Sequence, residues 1–387
     1  MRWRAAFPLI LALAALCLGA AGAPVTIGER HSLRSAVLNE ERSYQIALPD
    51  SYRWAQDRRY PVLYVLDGDT HFAHTAGSVG FLAAQGEIPE MIVVAISSTK
   101  RVRDFTQTDW PTAWIGGGGA GNFRKFLSTE LLPAIDRDYR TDGFRVLSGH
   151  SAGGQFVLYC LTSEPGLFAG YFALSPSLNW DDNLPLRSLE EAFGKTPTLP
   201  GFLYFARSDD GGKALADDER LDKILQTKSP QGFRWRSRPF PDETHVSVPL
   251  LAQIDALRSL YSGYRLHQDM MDKGLPYAEQ HFQTLSKTLG RPMPIPERVI
   301  NDLAYAALQQ DKTQEAIDLF RRNVDANPRS ANAYDGLADG YEKAGRLKEA
   351  AAAADRAAAL AAEVDHPHRA YFVEHARKLN EQLKQAP

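Results

Sequence analysis

From residue 25 to about residue 264 the sequence alternates continuous apolar runs with amphipathic stretches, and no other feature constrains the fold as strongly. Pro61-Val62-Leu63-Tyr64-Val65-Leu66 and Met91-Ile92-Val93-Val94-Ala95-Ile96 offer almost no polar face to water, so each reads as a strand covered on both sides. Phe144-Arg145-Val146-Leu147-Ser148, Gly170-Tyr171-Phe172-Ala173-Leu174-Ser175 and Phe202-Leu203-Tyr204-Phe205-Ala206 continue the series. Between them, residues 122–139 set Phe123, Phe126, Leu127, Leu131 and Ile135 on one helix face, with Asn122 as the expected N-cap. Strand, helix, strand in succession predicts the α/β class: a mostly parallel central sheet with helices on its faces.

Composition removes several function classes. With 44 basic and 47 acidic residues the net charge is -3, which disfavours a nucleic-acid binder that reads phosphates through a basic face. Only Cys17 and Cys160 occur, so a disulfide framework, a C-x-x-C redox pair and a cysteine zinc site are excluded. The chain opens with basic Met1-Arg2-Trp3-Arg4, runs apolar from Ala5 to Leu18, and then turns to the small residues Gly19-Ala20-Ala21-Gly22-Ala23. This is the pattern of a secretory signal peptide over residues 1–23, cleaved between Ala20 and Ala23. An uncleaved anchor needs about 20 apolar residues, and bulky Leu16 before Cys17 argues against a lipid-attachment site. The expectation is an exported protein, periplasmic or secreted, with no stable membrane anchor.

After residue 264 the composition shifts. Gly290, Pro292, Pro294 and Pro296 mark a linker, so residues 265–297 read as a linker with a helix and residues 24–264 as the α/β domain. From residue 298 to the end the chain is alanine-rich and helical, with a repeat spacing of 34: Leu303-Ala304 matches Leu337-Ala338, and Ala316 matches Ala350. Each copy divides in two, at Lys312 and Gly345, and Asn327-Pro328 closes the first. The pattern is similar to the tetratricopeptide repeat, whose stacked hairpins form a concave peptide-binding surface. A protein or peptide partner there is one expectation, and a hairpin that only braces its neighbour is the other. A last helix over residues 369–385 would cap the stack.

Gly149-His150-Ser151-Ala152-Gly153 fits G-x-S-x-G, with a strand expected to end at Ser148 and a helix over residues 155–161 just beyond. A sharp strand-to-helix turn there would hold the nucleophile in a strained backbone and require small neighbours at both glycines. Ser151 is the candidate nucleophile.

A serine hydroxyl needs a base, and histidine titrates nearest the working range. Of ten histidines, His31, His71 and His74 precede the nucleophile, five lie past the domain's end, and His150 is fixed beside Ser151. That leaves His245, in the polar loop Pro241-Asp242-Glu243-Thr244-His245-Val246-Ser247 after a strand-like stretch. The acid that orients the imidazole is expected after the intervening strand, in Arg207-Ser208-Asp209-Asp210-Gly211. Asp210 is the first choice and Asp209 the alternative, with Asp217 and Asp218 more remote. The order serine, acid, histidine is that of α/β-hydrolases. For the oxyanion the candidates are the N–H groups of Ala152 and of Asp69 in Leu66-Asp67-Gly68-Asp69, whose carboxylate would have to point away.

Together, Leu66-Asp67-Gly68-Asp69, Arg101-Val102-Arg103-Asp104-Phe105-Thr106, the nucleophile motif, Leu174-Ser175-Pro176-Ser177-Leu178 and Glu243-Thr244-His245-Val246-Ser247-Val248-Pro249 resemble the putative esterase family of α/β-hydrolases. That family includes esterase D, feruloyl esterases, antigen 85-type mycolyltransferases and siderophore esterases. The siderophore-esterase branch is the most similar, and the resemblance implies ester or lactone hydrolysis by Ser151, His245 and an acidic partner. Arg207 stands where many relatives have a glycine before the acid. Arg101, Arg103, Trp110, Trp114 and Trp180 are expected near the site, where cations beside aromatics could hold an anionic aromatic acyl group. The glycine-rich stretch Gly116 to Gly121 is expected as a mobile loop or a plain connector. No phosphate cradle, metal cluster or dinucleotide fingerprint is present in the sequence, so no cofactor is expected. The leading expectation is a serine esterase acting on a small-molecule ester or lactone. An acyltransferase using the same triad and a repeat-based interaction protein are the alternatives.

Overall fold

The computed structural model describes residues 25–109, 116–209, 211–364 and 366–386. The expected leader at 1–23, Trp110, Trp114 and Asp210 lie outside the described residues.

Eight strands form one sheet: β1 (Glu29–Ser35), β2 (Glu40–Ala47), β3 (Tyr60–Val65), β4 (Ile92–Ile96), β5 (Thr141–His150), β6 (Gly170–Leu174), β7 (Thr198–Ser208) and β8 (Gln231–Phe240). They lie in the order β1-β2-β4-β3-β5-β6-β7-β8. The β1–β2 and β2–β4 pairs are antiparallel and all other pairs parallel. Burial on both faces follows from the side-chain alternation of a strand. In β3, Val62 and Tyr64 join one core while Leu63 and Val65 join the other.

The helices of the α/β unit are α1 (Gly68–Ala84), α2 (Arg101–Phe105), α3 (Ala120–Phe126), α4 (Leu132–Asp138), α5 (Ala152–Ser163), α6 (Trp180–Lys195), α7 (Gly212–Lys228) and α8 (Val248–Leu260). Phe123 of α3, Phe156 of α5, Leu189 of α6 and Leu221 of α7 fill the first core, and Val79 of α1 and Leu257 of α8 the second. The helix expected over 122–139 starts earlier, because Gly119 N–H donates to the Arg103 carbonyl and Ala120 N–H to that of Thr106. Backbone acceptors thus satisfy the helix start, and Asn122 is not the cap. A π-helical turn, Leu127–Leu131, joins α3 to α4 just before Pro133, which has no N–H to give the regular ladder.

Beyond residue 264 come α9 (Gln268–Met271), α10 (Gly274–Leu289), α11 (Glu297–Gln309), α12 (Thr313–Ala326), α13 (Ala331–Lys343), α14 (Leu347–Glu363) and α15 (Arg369–Gln385). The stretch of linker composition is packed rather than loose: Phe282, Leu285 and Leu289 of α10, with Met293, belong to the second core beside Phe144 and Tyr261. Arg291 pairs with Asp142, Arg265 with Glu87 at 2.8 Å, and Arg329 with Asp57 at 3.4 Å. The helices from α11 onward close on small residues, Ala304, Ala316, Ala338, Ala350 and Ala354, around Phe320. Tyr305 O–H donates to the Asp339 carboxylate at 2.6 Å, a contact between positions 34 residues apart. The His375 Nδ1 to Asp335 carboxylate contact, 2.7 Å, ties α15 to α13. A cleft of about 1370 Å³ runs between α1 and α11, lined by Ala83, Gly86, Arg298 and Asp302, and neither Ser151 nor His245 lines it. Among the described residues no helix is long and apolar enough to cross a membrane.

Candidate active site

Ser151 occupies the one-residue turn between β5 and α5, with φ 59° and ψ -120°. A non-glycine residue there is strained, and the surroundings hold it. Its N–H donates to the Leu174 carbonyl and its own carbonyl accepts from Ser177 N–H, both at 3.0 Å. The demand for small residues falls differently from the motif text. A Cβ on Gly149 would lie 2.4 Å from the Gly153 carbonyl oxygen, and one on Gly154 would lie 2.9 Å from Pro176 Cβ. On Gly153 it would meet nothing nearer than 3.5 Å. The expectation that a side chain at Gly153 would clash is therefore corrected: the second tight position is Gly154, where α5 passes the β6 end.

His245 reaches the same sheet edge on the loop after β8. Its Nδ1 lies 3.1 Å from Ser175 Oγ, which is also 2.7 Å from Ser208 Oγ at the end of β7. Ser175, like Ser151, has positive φ, and its N–H donates to the Ala206 carbonyl. Ser151 Oγ lies 3.3 Å from Ser177 Oγ. The strand ends of β5, β6 and β7 thus deliver Ser151, Ser175 with Ser177, and Ser208 to one place. Ser175 and Ser208 were missed as site residues by sequence reasoning, although Ser175 falls in a family motif.

Of the carboxylates, Asp209 is exposed at the end of β7, and its N–H donates to the Glu243 carbonyl of the histidine loop at 3.0 Å. Asp217 sits on α7 in an ion pair with Lys213 at 3.0 Å, with buried Asp218 beside it. Arg207 pairs with Asp222.

Ala152 and Asp69 are the first and second residues of α5 and α1, positions whose N–H groups have no intrahelical acceptor. The Asp69 carboxylate turns out to Arg30 at 3.1 Å and is 53% exposed. Asp67, left-handed at φ 54°, is gripped by Arg101 Nε at 2.9 and 3.0 Å, and Arg101 Nη2 donates to the His150 carbonyl at 3.1 Å. Arg101 therefore braces the loop after β3 against the Ser151 turn.

The cations expected to meet an anionic acyl group are already engaged. Arg103 forks onto Glu40 at 2.6 Å and onto Asp104, and this holds the Glu40 carboxyl down at about 2. Trp180 is 7% exposed, with its indole N–H donating to Thr108 Oγ1 at 3.1 Å. Trp180 opens α6 into three left-handed residues, Asp181, Asp182 and Asn183. In the glycine-rich stretch, Gly118 N–H donates to Thr106 Oγ1 and Gly117 bridges to Asp109.

A row of imidazoles runs behind the site. The His150 and His245 rings lie 4.7 Å apart, His71 meets His150 edge-on at 5.8 Å, and His71 Nδ1 lies 3.0 Å from His74 Nε2. Burial pushes His150 and His74 down to about 4 and lowers His71 as well. These three rings are neutral at neutral pH.

The family model described as Putative esterase matches residues 35–229. The chain is 31% identical over 263 residues to the ferri-bacillibactin esterase BesA of Bacillus subtilis, covering 60% of this chain and 87% of that protein. An IroE-like serine hydrolase from Shewanella oneidensis superposes with a TM-score of 0.65 at 29% identity, over 76% of this chain and 97% of that one. An uncharacterised protein from Capnocytophaga ochracea shares the fold at 19% identity and a TM-score of 0.61, over 86% of this chain and 93% of its own. With a mostly parallel eight-stranded sheet and this family match, the chain belongs to the Putative esterase family of α/β-hydrolases and is a carboxylic ester hydrolase.

Proposed function

We propose that the protein cleaves esters or lactones of the siderophore type through an acyl-enzyme on Ser151. The single observation that carries this reading is the convergence of the Ser151 turn and the His245 imidazole at the strand ends, through Ser175 and Ser177. The named activity of BesA supports the substrate class.

In this mechanism Ser151 Oγ attacks the ester carbon while its proton passes to His245 Nε2. The Ala152 and Asp69 N–H groups take the oxyanion, each donor worth about 3 kcal/mol. When the C–O bond breaks, the imidazolium returns the proton to the leaving alkoxide. Water, deprotonated by His245, then attacks the acyl-enzyme, and as the bond to Ser151 Oγ breaks the imidazolium returns the proton to that oxygen and the acid is freed. Nδ1 of His245 is held by the β6–β7 corner, with Asp210 or Asp209 offsetting the imidazolium charge. The basic and apolar N-terminus supports export with residues 1–23 as leader, and N-terminal sequencing of protein from the culture fluid or periplasm tests that.

The chemical test is intact mass after exposure to a fluorophosphonate, alongside turnover of p-nitrophenyl acetate and of a catecholate trilactone. One adduct on the wild type, none on Ser151→Ala and slow labelling of His245→Ala support the proposal. A folded wild type with neither adduct nor turnover overturns it.

A further inference from the structure

His245 sits on a short loop that offers little packing of its own: Thr244, Val246 and Ser247 are exposed, Val246 at 80%. A general base must nevertheless be held within a fraction of an ångström of its partner, since a misplacement of about 1 Å can cost about 100-fold in rate. Part of that fixation comes from the residue next to the nucleophile. His150 Nε2 lies 2.6 Å from the backbone carbonyl oxygen of His245. A carbonyl can only accept, so the hydrogen is on Nε2, and the bond fixes the tautomer of His150.

We infer that His150 is a positioning residue for the base: its Nε2–H clamps the His245 carbonyl and so registers the histidine loop against the strand that carries Ser151. This rests on the reading of Ser151 and His245 as nucleophile and base. The clamp is itself anchored. The His150 carbonyl accepts from Arg101, whose Nε grips Asp67, and its β5 backbone pairs with Leu174. The ring packs between His245 and His71, with His74 behind, in surroundings where it stays neutral and keeps Nε2–H as a donor. His150 does not touch substrate in this scheme. It sets where the His245 backbone stands, and the imidazole then needs only its own two side-chain torsions.

The experiment uses the mature chain and p-nitrophenyl acetate. His150→Phe keeps a ring of similar size and removes the donor, and kcat is expected to fall about 100-fold at unchanged KM. His150→Gln places an amide N–H near the same point and is expected to recover about tenfold of that loss. In a His245→Ala background, His150→Phe is expected to change the residual rate less than twofold. An equal loss in both backgrounds would show that His150 acts on the nucleophile turn instead, and would overturn the inference. So would full activity of His150→Phe. If His150→Phe yields no folded protein, His150→Gln against His150→Met carries the same comparison. Failure of the underlying reading shows separately, as undiminished turnover by His245→Ala or Ser151→Ala with His150 intact.

Discussion

Ser175 Oγ lies 3.1 Å from Nδ1 of His245 and 2.7 Å from Ser208 Oγ, so the His245 imidazole meets the ends of β6 and β7 at one buried hydroxyl. Ser175→Ala removes that contact without adding volume. Steady-state turnover of p-nitrophenyl acetate is expected to show kcat lowered about tenfold, the equivalent of one hydrogen bond of about 1.4 kcal/mol, at unchanged KM. An unchanged kcat would remove Ser175 from the machinery.

The glycines around Ser151 should part company. Gly149→Ala drives a methyl into the Gly153 carbonyl, a backbone atom that cannot swing aside, and is expected to cost about 3 kcal/mol or to prevent folding. Gly153→Ala, in ordinary contact and inside α5, is expected to leave stability within about 1 kcal/mol of wild type, with the gain in helix propensity in its favour. Thermal melts of the two variants decide this, and equal destabilisation would contradict the packing described.

What could be read from the sequence was what burial writes plainly. The apolar runs over β3 and β4 announce strands because both faces of each are covered, and the small residues around Ser151 mark a sharp turn. The polar antiparallel strands β1 and β2 carry no such run, since Glu29–Ser35 is an edge with half its residues in water. Ser175 could not be placed without the register that sets Leu174 between His150 and Ala206. The contacts of Arg103 and Trp180 were hidden for a related reason. Their partners, Glu40 and Thr108, come in from segments distant in the sequence.

Acid should weaken the β2–α2 corner. Arg103 holds the Glu40 carboxyl at about 2 when folded, against 4.5 for an unperturbed glutamate. A depressed folded value adds stability that is fully present above pH 4.5 and is lost as pH falls through about 2. In a pH series of chemical denaturation, Glu40→Gln is expected to be about 1–3 kcal/mol less stable at neutral pH and to lose most of that difference by pH 2. A difference constant with pH would assign the loss to packing instead.

The capping helix carries the opposite sign. Asp335 raises the His375 value above 6.5, so the charged pair adds stability that is fully present below pH 6.5 and is lost as pH rises through the folded value. Hydrogen exchange, corrected for its intrinsic pH dependence, is expected to show α15 less protected at alkaline pH, and Asp335→Asn is expected to abolish the change. Protection that rises with pH would refute the pairing.

α10 also moves the seam of the molecule. Phe282, Leu285, Leu289 and Met293 complete a core whose other members belong to the α/β unit, while Ala278 of α10 joins the core of the C-terminal helices. An exchange of helical arrays between hydrolases of this build would therefore have to leave α10 behind and take up the chain at Glu297. A crossover at residue 265 would bare Phe144 and Tyr261, and the recipient would inherit an oily scar instead of a new module.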